Sequence, residues 1–147
     1  MGKKMKKKIL IVDDEPGIVR LLAIRLKAKG YEIVEAYDGL QCIKVTKEEL
    51  PDLILLDIKM PNMSGIDAFE QIIQLDLTKE IPVLFMTAYP TAEIKDQVLN
   101  MGAKGCISKP FISEDFERTI DLVINDYNLI DYQKIYPTYK PLNQKYQ

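Results

Sequence analysis

The sequence contains no histidine and only two cysteines in 147 residues. Without histidine, a zinc centre or a catalytic Cys/His pair has little to build on. Cys42 and Cys106 both fall in apolar segments that we predict to be core. We therefore expect both thiols to be reduced and structural.

Long apolar stretches are also missing. No segment approaches the roughly 20 apolar residues of a membrane span, and the amino terminus lacks the apolar stretch of a secretory signal. With 47% apolar residues, 29% charged residues and a net charge of -2, the composition is that of an ordinary soluble protein of about one domain. The sequence thus predicts a cytoplasmic protein that binds neither nucleic acid nor membrane. The lysine-rich residues 1–7 are expected to be a solubilising lead-in, with a nucleic-acid or membrane arm as the alternative.

The rest of the chain is organised around residues 51–65, PDLILLDIKMPNMSG. Leu53–Leu56 is an unbroken apolar run too short for a helix, which predicts a strand covered on both faces in a parallel sheet. The run stops at Asp57, and a carboxylate there lies at the carboxyl end of the strand, where open α/β sheets bind ligands. The turn-forming residues 60–65 keep the approach to this carboxylate open.

A second strand of the same kind, Ile9–Val12, ends at Asp13 and Asp14, and Pro16 suits the first turn of a helix. The other strands are predicted at 31–36, near an edge of the sheet, at 81–86 and at 105–108. Helices are predicted between the strands and after the last one. Five strands alternating with five helices predict a doubly wound α/β domain with a parallel sheet in the order 2-1-3-4-5.

The helices are predicted from apolar residues at helical spacing. In the second helix, which opens at Asp38, we expect Leu40, Ile43 and Leu50 on one face. The last helix begins at about 113. Taken together, the elements predict a domain over residues 8–126 and an extension over 127–147.

The predicted strand order brings polar residues together at one edge of the sheet. Strands one and three are neighbours, so Asp13, Asp14 and Asp57 meet in one crevice, with Thr87 and Lys109 at its rim. Three crowded carboxylates repel one another, and a hard divalent cation such as Mg²⁺ relieves that repulsion while leaving positions open for phosphate oxygens. Asp57 can then attack a phosphoryl group to form an aspartyl phosphate. Lys109 neutralises charge on the transferring oxygens, and Thr87 donates a hydrogen bond to one of them.

These residues carry a resemblance to a known family. Residues 8–126 resemble the receiver domain of two-component response regulators, the CheY-like proteins. The matching segments are ILIVDDEP, PDLILLDIKMPNMSG, FMTA and CISKPF. Each segment alone is a weak signal, but the four occur in the right order and at the predicted strand ends.

The resemblance implies that Asp57 is the phosphoacceptor and that the donor is a histidine kinase or a histidine phosphotransfer protein. It also implies that Asp14 and Asp57 ligate Mg²⁺ directly, that Asp13 acts mainly through water, and that the backbone carbonyl of Lys59 completes the protein ligands. Thr87 would be the switch hydroxyl.

The resemblance further implies that Lys109 and Thr87 hold the phosphoryl oxygens and that the Lys109-Pro110 peptide is cis. The domain would assist its own phosphorylation without being a turnover enzyme. Phosphorylation would change the affinity of the face formed by the fourth helix, fifth strand and fifth helix for a downstream protein target.

Three positions modify this expectation. Receivers commonly carry Tyr or Phe three residues before the lysine, whereas this chain has Cys106 there. Tyr89 is therefore expected either to take over part of the conformational response or only to cover the site. Lys59 and Tyr89 are also the positions that flank the acyl phosphate in the family, and their long side chains predict slow loss of the phosphoryl group.

Other functions stay open at this point. A dinucleotide-binding domain is disfavoured, because acids replace the glycine-rich turn after the first strand. An interaction module that does not depend on phosphorylation remains possible. So does an aspartyl-phosphate phosphatase, although phosphatases of that kind place an Asp-x-Asp pattern after the first strand, where this chain has adjacent acids.

The extension over residues 127–147 holds five of the eight tyrosines. It is too short for a folded output domain, which needs at least about 50 residues. We expect a flexible linker or a loosely packed extension, with a partner-binding segment as the alternative. An apolar stripe that continues the last helix could also support a homodimer.

Overall fold

The computed structural model describes residues 6–109 and 114–125. The predicted cis peptide at Pro110, residues 1–5 of the basic lead-in and the extension over 127–147 lie outside the described residues, and the domain limits of 8 and 126 stay a prediction. The elements are β1 (Lys8–Val12), α1 (Pro16–Ala28), β2 (Glu32–Ala36), α2 (Gly39–Glu49), β3 (Leu53–Asp57), α3 (Gly65–Ile73), β4 (Val83–Thr87), α4 (Ala92–Asn100), β5 (Gly105–Ser108) and α5 (Glu114–Ile124).

The five strands form one parallel sheet in the order β2-β1-β3-β4-β5, which confirms the predicted fold. In the register between β1 and β3, Val12 lies opposite Leu56, so the next residues, Asp13 and Asp57, leave the sheet side by side. In the register between β3 and β4, Asp57 lies opposite Met86. The residues that end these three central strands therefore share one edge of the sheet.

The apolar strand residues supply a core on each face of the sheet. Because side chains alternate along a strand, Leu53 and Leu55 face α1 and α5, whereas Ile54 and Leu56 face α2, α3 and α4. Every residue of β3 and β4 is buried. This explains why their sequences are continuous apolar runs instead of alternating ones.

The first strand of the sheet order, β2, is an edge strand, as predicted from its two glutamates. Glu32 and Glu35 are exposed, and the strand pairs only with β1. Charged residues on an edge strand discourage pairing with other chains.

The helices begin at capping residues that immediately follow the strand-end loops. Pro16 is the first residue of α1, and the side chains of Asp38, Ser64 and Thr91 accept hydrogen bonds from the first turns of α2, α3 and α4. These caps satisfy backbone N–H groups that have no partner within the helix. The caps therefore define the last residues of the loops that lead from the acidic edge of the sheet into the helices.

The predicted face of α2 is wrong at two of its three residues. Leu40 is 68% exposed and Leu50 is 46% exposed, while only Ile43 is buried. The buried face is formed by Gly39, Cys42, Ile43 and Thr46, whose spacing is helical. Leu50 follows the helix in a left-handed conformation with φ of 45°, so it does not continue that face.

Within the described ranges, no helix has the length and apolar character needed to cross a membrane.

Candidate phosphoacceptor site

Three carboxylates cluster where β1 and β3 end. Asp57 is the last residue of β3, and Asp13 and Asp14 follow β1. Each residue offers an oxygen, and these oxygens all lie within 4.8 Å of one another. Asp13 and Asp57 are buried, and Asp14 is the more exposed of the three. The structure thus brings the three predicted acids together.

Hydrogen bonds on both sides fix the position of Asp13. Its backbone N–H donates to the carbonyl oxygen of Ala36 at 3.2 Å, which continues the pairing of β1 with β2. Its Oδ1 accepts a hydrogen bond from the backbone N–H of Glu15 at 3.0 Å. This bond turns the chain from the strand into α1 and leaves Oδ2 directed at the cluster.

A lysine from the far side of the sheet joins the cluster. The Nζ atom of Lys109 lies 2.5 Å from Oδ2 of Asp13 and 3.2 Å from Oδ1 of Asp57. Its backbone N–H donates to the carbonyl oxygen of Thr87 at 2.8 Å, which anchors the end of β5 to the end of β4. Lys109 therefore bridges two of the three carboxylates.

The electrostatics of the site follow from burial and crowding. Burial raises the pKa of Asp57 from 3.8 to about 6, the charge of Asp13 adds to the increase, and Lys109 opposes it. Burial lowers the pKa of Lys109, but its hydrogen bond to Asp13 and the charges of Asp57 and Asp13 outweigh burial, so this pKa is raised. Lys109 stays protonated at neutral pH, and extra positive charge would favour the ionised form of Asp57.

Thr87 ends β4 at the same edge of the sheet. Its side chain is buried, and its Oγ1 accepts a hydrogen bond from the backbone N–H of Tyr89 at 3.1 Å. A hydroxyl that accepts this bond still has its proton to donate. Thr87 lies one residue beyond Met86, the partner of Asp57 in the strand register, so it ends β4 next to the strand end that carries Asp57.

Lys59 and Tyr89 form a pair at the exposed rim. The Nζ atom of Lys59 lies 5.7 Å from the centre of the Tyr89 ring, a distance typical of a cation–π contact. Tyr89 is 71% exposed, so the ring is not held by the core. The contact joins the loop after β3, which begins next to Asp57, to the loop after the neighbouring strand β4.

Gly65 was not singled out from the sequence, yet it shapes the loop that follows Asp57. Its backbone N–H donates to the carbonyl oxygen of Ile58 at 2.8 Å, and a Cβ at this position would overlap the carbonyl oxygen of Asp57. Glycine is therefore required by close approach of α3 to the end of β3. Asn62, in the same loop, adopts a left-handed conformation with φ of 69°. The turn-forming composition of residues 60–65 was the only signal for this geometry.

Cys106 lies in the middle of β5 and is buried. Burial raises the pKa of its thiol to about 11, with the nearby charge of Lys95 opposing the increase. Burial likewise raises the pKa of Cys42 to about 12. Both thiols are free and protonated at neutral pH, as expected for structural cysteines. Lys95, on α4, is buried although its sequence position gave no sign of it.

A sequence model of the response regulator receiver domain matches residues 9–121 of the chain. The chain belongs to this family. The receiver domain is a signalling domain of two-component systems, and the acidic cluster described above lies within the matched residues.

Individual relatives agree with this assignment. The chain is 37% identical over 120 residues to the alkaline phosphatase synthesis transcriptional regulatory protein PhoP of Bacillus subtilis, covering 82% of this chain and 49% of PhoP. It is 39% identical over 107 residues to sporulation initiation phosphotransferase F of the same organism, covering 73% of this chain and 85% of that protein. Among solved structures, the chemotaxis protein CheY4 of Vibrio cholerae superimposes with a TM-score of 0.77 at 29% identity, covering 81% of this chain and 99% of CheY4.

The chain spans about half the length of several curated relatives that it matches, including PhoP. The similarity is confined to the receiver domain, so the outputs of those longer proteins are not transferred with it.

Proposed function

We propose that this receiver domain accepts a phosphoryl group on Asp57 from a phosphorylated histidine of a histidine kinase or a histidine phosphotransfer protein, and that it needs Mg²⁺ to do so. The observation that carries the proposal is the cluster itself. A buried carboxylate at the end of the central strand lies beside two further carboxylates and a lysine ammonium.

The transfer uses a carboxylate oxygen of Asp57 as the nucleophile. An O–P bond forms, the P–N bond of the phosphohistidine breaks, and the electron pair leaves with the imidazole nitrogen, which can take up a proton from solvent. Lys109 lies within 3.2 Å of an Asp57 oxygen, so its ammonium offsets negative charge on the transferring group. The buried hydroxyl of Thr87 has a proton to donate to one of the phosphoryl oxygens.

The residues of the cluster suit a hard divalent cation. With all carboxylates ionised, three negative charges face one lysine, and oxygen atoms are the ligands that Mg²⁺ prefers. Asp14 and Asp57 would hold the ion directly, Asp13 mainly through water, and the backbone carbonyl of Lys59 would complete the protein ligands. The ion would supply further neutralisation of charge on the phosphoryl oxygens.

The partners of the domain are inferred from chemistry and from named relatives. One relative is a sporulation phosphotransferase, and the chain is also 40% identical over 114 residues to the sensor histidine kinase RcsC of Escherichia coli, where it matches 12% of the kinase. These proteins support a histidine phosphodonor for this chain as well. A downstream protein target on the α4, β5 and α5 face, a homodimer and a cytoplasmic location stay predictions.

Chemical trapping on the whole chain tests the proposal. The protein is incubated with phosphoramidate, a small donor with a P–N bond, and is then treated with borohydride, which reduces an acyl phosphate of aspartate to homoserine. We expect homoserine at residue 57 only when Mg²⁺ is present. Homoserine at another acid, or at none, would contradict the proposal.

The two rival functions make different predictions in a similar assay. A phosphatase releases phosphate continuously from an ester such as p-nitrophenyl phosphate, whereas a receiver domain is not expected to turn this substrate over. An interaction module that works without phosphorylation binds its partner equally well before and after treatment with the donor.

A further inference from the structure

An open groove lies between α1 and the edge strand β2, and none of the three acids of the cluster lines it. Arg20, Ile24 and Lys27 line it from α1, and Glu35 and Tyr37 line it from the end of β2 and the residue after it. Ile24 is 61% exposed and Tyr37 is 37% exposed, so Ile24 has little cover from the described part of the chain and Tyr37 is partly covered.

The groove combines apolar and polar groups in a way that suits tyrosine side chains. Glu35 accepts a hydrogen bond from the hydroxyl of Tyr37 at 2.6 Å, and the cationic groups of Arg20 and Lys27 stand on the opposite wall. An aromatic ring can cover Ile24 while its hydroxyl bonds to one of these polar groups. The guanidinium of Arg20 can also stack on a ring face.

The last described helix, α5, ends near the C-terminal end of α1, and its ion pairs with Arg25 and Lys29 lie on the side of α1 away from the groove. Asp121 in α5 forms an ion pair with Lys29 at 3.0 Å and accepts a hydrogen bond from the hydroxyl of Tyr31. Lys29 and Tyr31 belong to the short connection between α1 and β2, the two elements that form the groove. The chain that follows Asn125 therefore starts near the C-terminal end of α1 and has to pass that end to reach the groove.

The segment that follows has the length and composition to occupy the groove. Fully extended, residues 126–147 reach at most roughly 80 Å, several times the length of about 20 Å expected for α1. The segment carries five tyrosines together with four aliphatic residues, listed here in chain order: Tyr127, Leu129, Ile130, Tyr132, Ile135, Tyr136, Tyr139, Leu142 and Tyr146. Large aromatic and aliphatic side chains of this kind can pack against the exposed surface of Ile24 and Tyr37.

We propose that residues 126–147 fold back onto their own domain and dock in the groove between α1 and β2, with tyrosine rings against Ile24 and hydroxyl groups at its polar walls. The upper end of the groove is lined by Pro16, two residues from Asp14, so a docked segment extends toward the acidic cluster. Docking does not depend on the phosphoacceptor function and can be tested separately from it.

Photo-crosslinking within the full chain tests this docking. The photoreactive residue p-benzoylphenylalanine replaces Ile24 in one variant and Tyr37 in a second. If one variant fails to fold, crosslinking can still be measured in the other. Leu40 is the matched control, because it is 68% exposed and lies on α2, on the other face of the sheet. Crosslinked peptides are mapped by mass spectrometry after irradiation.

We expect at least one groove position to capture a peptide from 126–147 within the same molecule, in clear excess over the Leu40 position. Because a tethered segment has an effective concentration in the millimolar range, the yield should not change when the protein is diluted. Crosslinks that join two molecules and disappear on dilution would assign the groove to a second copy and overturn docking within one chain. No capture at either groove position, or equal capture at Leu40, would also overturn it.

Discussion

Asp57 is a buried carboxylate whose surroundings oppose its charge. Burial and the nearby Asp13 raise its pKa from 3.8 to about 6, which corresponds to about 3 kcal/mol. Because the pKa is higher in the folded state than in the unfolded state, protonation of Asp57 stabilises the folded protein. This stabilisation by the protonated carboxyl is fully present below pH 3.8 and is lost as pH rises through about 6. The acid that we propose as the phosphoacceptor therefore lowers stability at neutral pH.

The substitution Asp57→Asn should consequently stabilise the domain at pH 7 when divalent cations are absent, by up to about 3 kcal/mol. The gain should shrink toward zero at about pH 3, where the carboxyl of Asp57 is protonated in both the folded and the unfolded state. Urea unfolding at the two pH values, with a chelator present, measures it. Equal stability of the two proteins at pH 7 would show that the site does not oppose the charge of Asp57.

We predict that Lys59 and Tyr89 lengthen the lifetime of a phosphorylated form. If their contact covers the acyl phosphate, water can reach the phosphoryl group only when the contact between the two side chains is broken. An exposed cation–π contact contributes roughly 0.5–1 kcal/mol, so Lys59→Ala or Tyr89→Ala should speed loss of the phosphoryl group by about two- to fivefold. The half-life of the phosphorylated protein after removal of the donor measures this.

Tyr37→Phe is the control for the lifetime measurement, since Tyr37 lies beyond β2 and not at the rim of the site. An unchanged half-life in both rim variants would remove the shielding role. A change only in the Tyr89 variant would point to the ring itself and not to the cation–π pair.

At the scale of secondary-structure elements, α3 approaches the end of β3 so closely that only glycine fits between them. A Cβ on Gly65 would overlap the backbone of Asp57, and backbone atoms cannot move aside as a flexible side chain can. We expect Gly65→Ala to displace the loop after β3, to lower stability and to reduce phosphorylation. Gly17→Ala in α1 is the control, because nothing lies within 4 Å of the added Cβ.

In a helix, alanine is favoured over glycine by roughly 0.5–1 kcal/mol, so the Gly17 variant should be as stable as the parent or slightly more stable. Thermal unfolding together with phosphorylation yield separates the two glycines. A Gly65→Ala protein with parental stability and yield would contradict the close approach of α3 to β3.

The elements also show what the sequence pattern could and could not predict. β5 has the predicted bounds, because Gly105 and Lys109 mark its ends in the sequence. β4 begins at Val83 and not at 81, since Pro82 has no N–H to donate to a neighbouring strand. The exposure of Leu40 could not be predicted, because helical spacing identifies possible faces and the neighbouring elements decide which of them is buried.

At the scale of the whole molecule, the parallel topology explains why the cluster was predictable. Residues from β1, β3 and β5 that are far apart in sequence meet because all strands end at the same edge and because the order β2-β1-β3-β4-β5 makes β1 and β3 neighbours. The burial of Lys95 and the close approach of α3 to the end of β3 at Gly65 depend on how the helices pack against the sheet. Local sequence does not determine that packing. These features became visible only in three dimensions.

The central claim is that the strand-end cluster makes Asp57 a phosphoacceptor, and intact mass tests it most directly. The chain is incubated with acetyl phosphate, with and without Mg²⁺, alongside Asp57→Asn and the control Asp76→Asn, whose side chain is 98% exposed and outside the site. We predict a gain of one phosphoryl group in the parent and in the control, only with the metal, and no gain in Asp57→Asn. A folded parent that gains nothing, or an Asp57→Asn protein that gains as much as the parent, would contradict the claim.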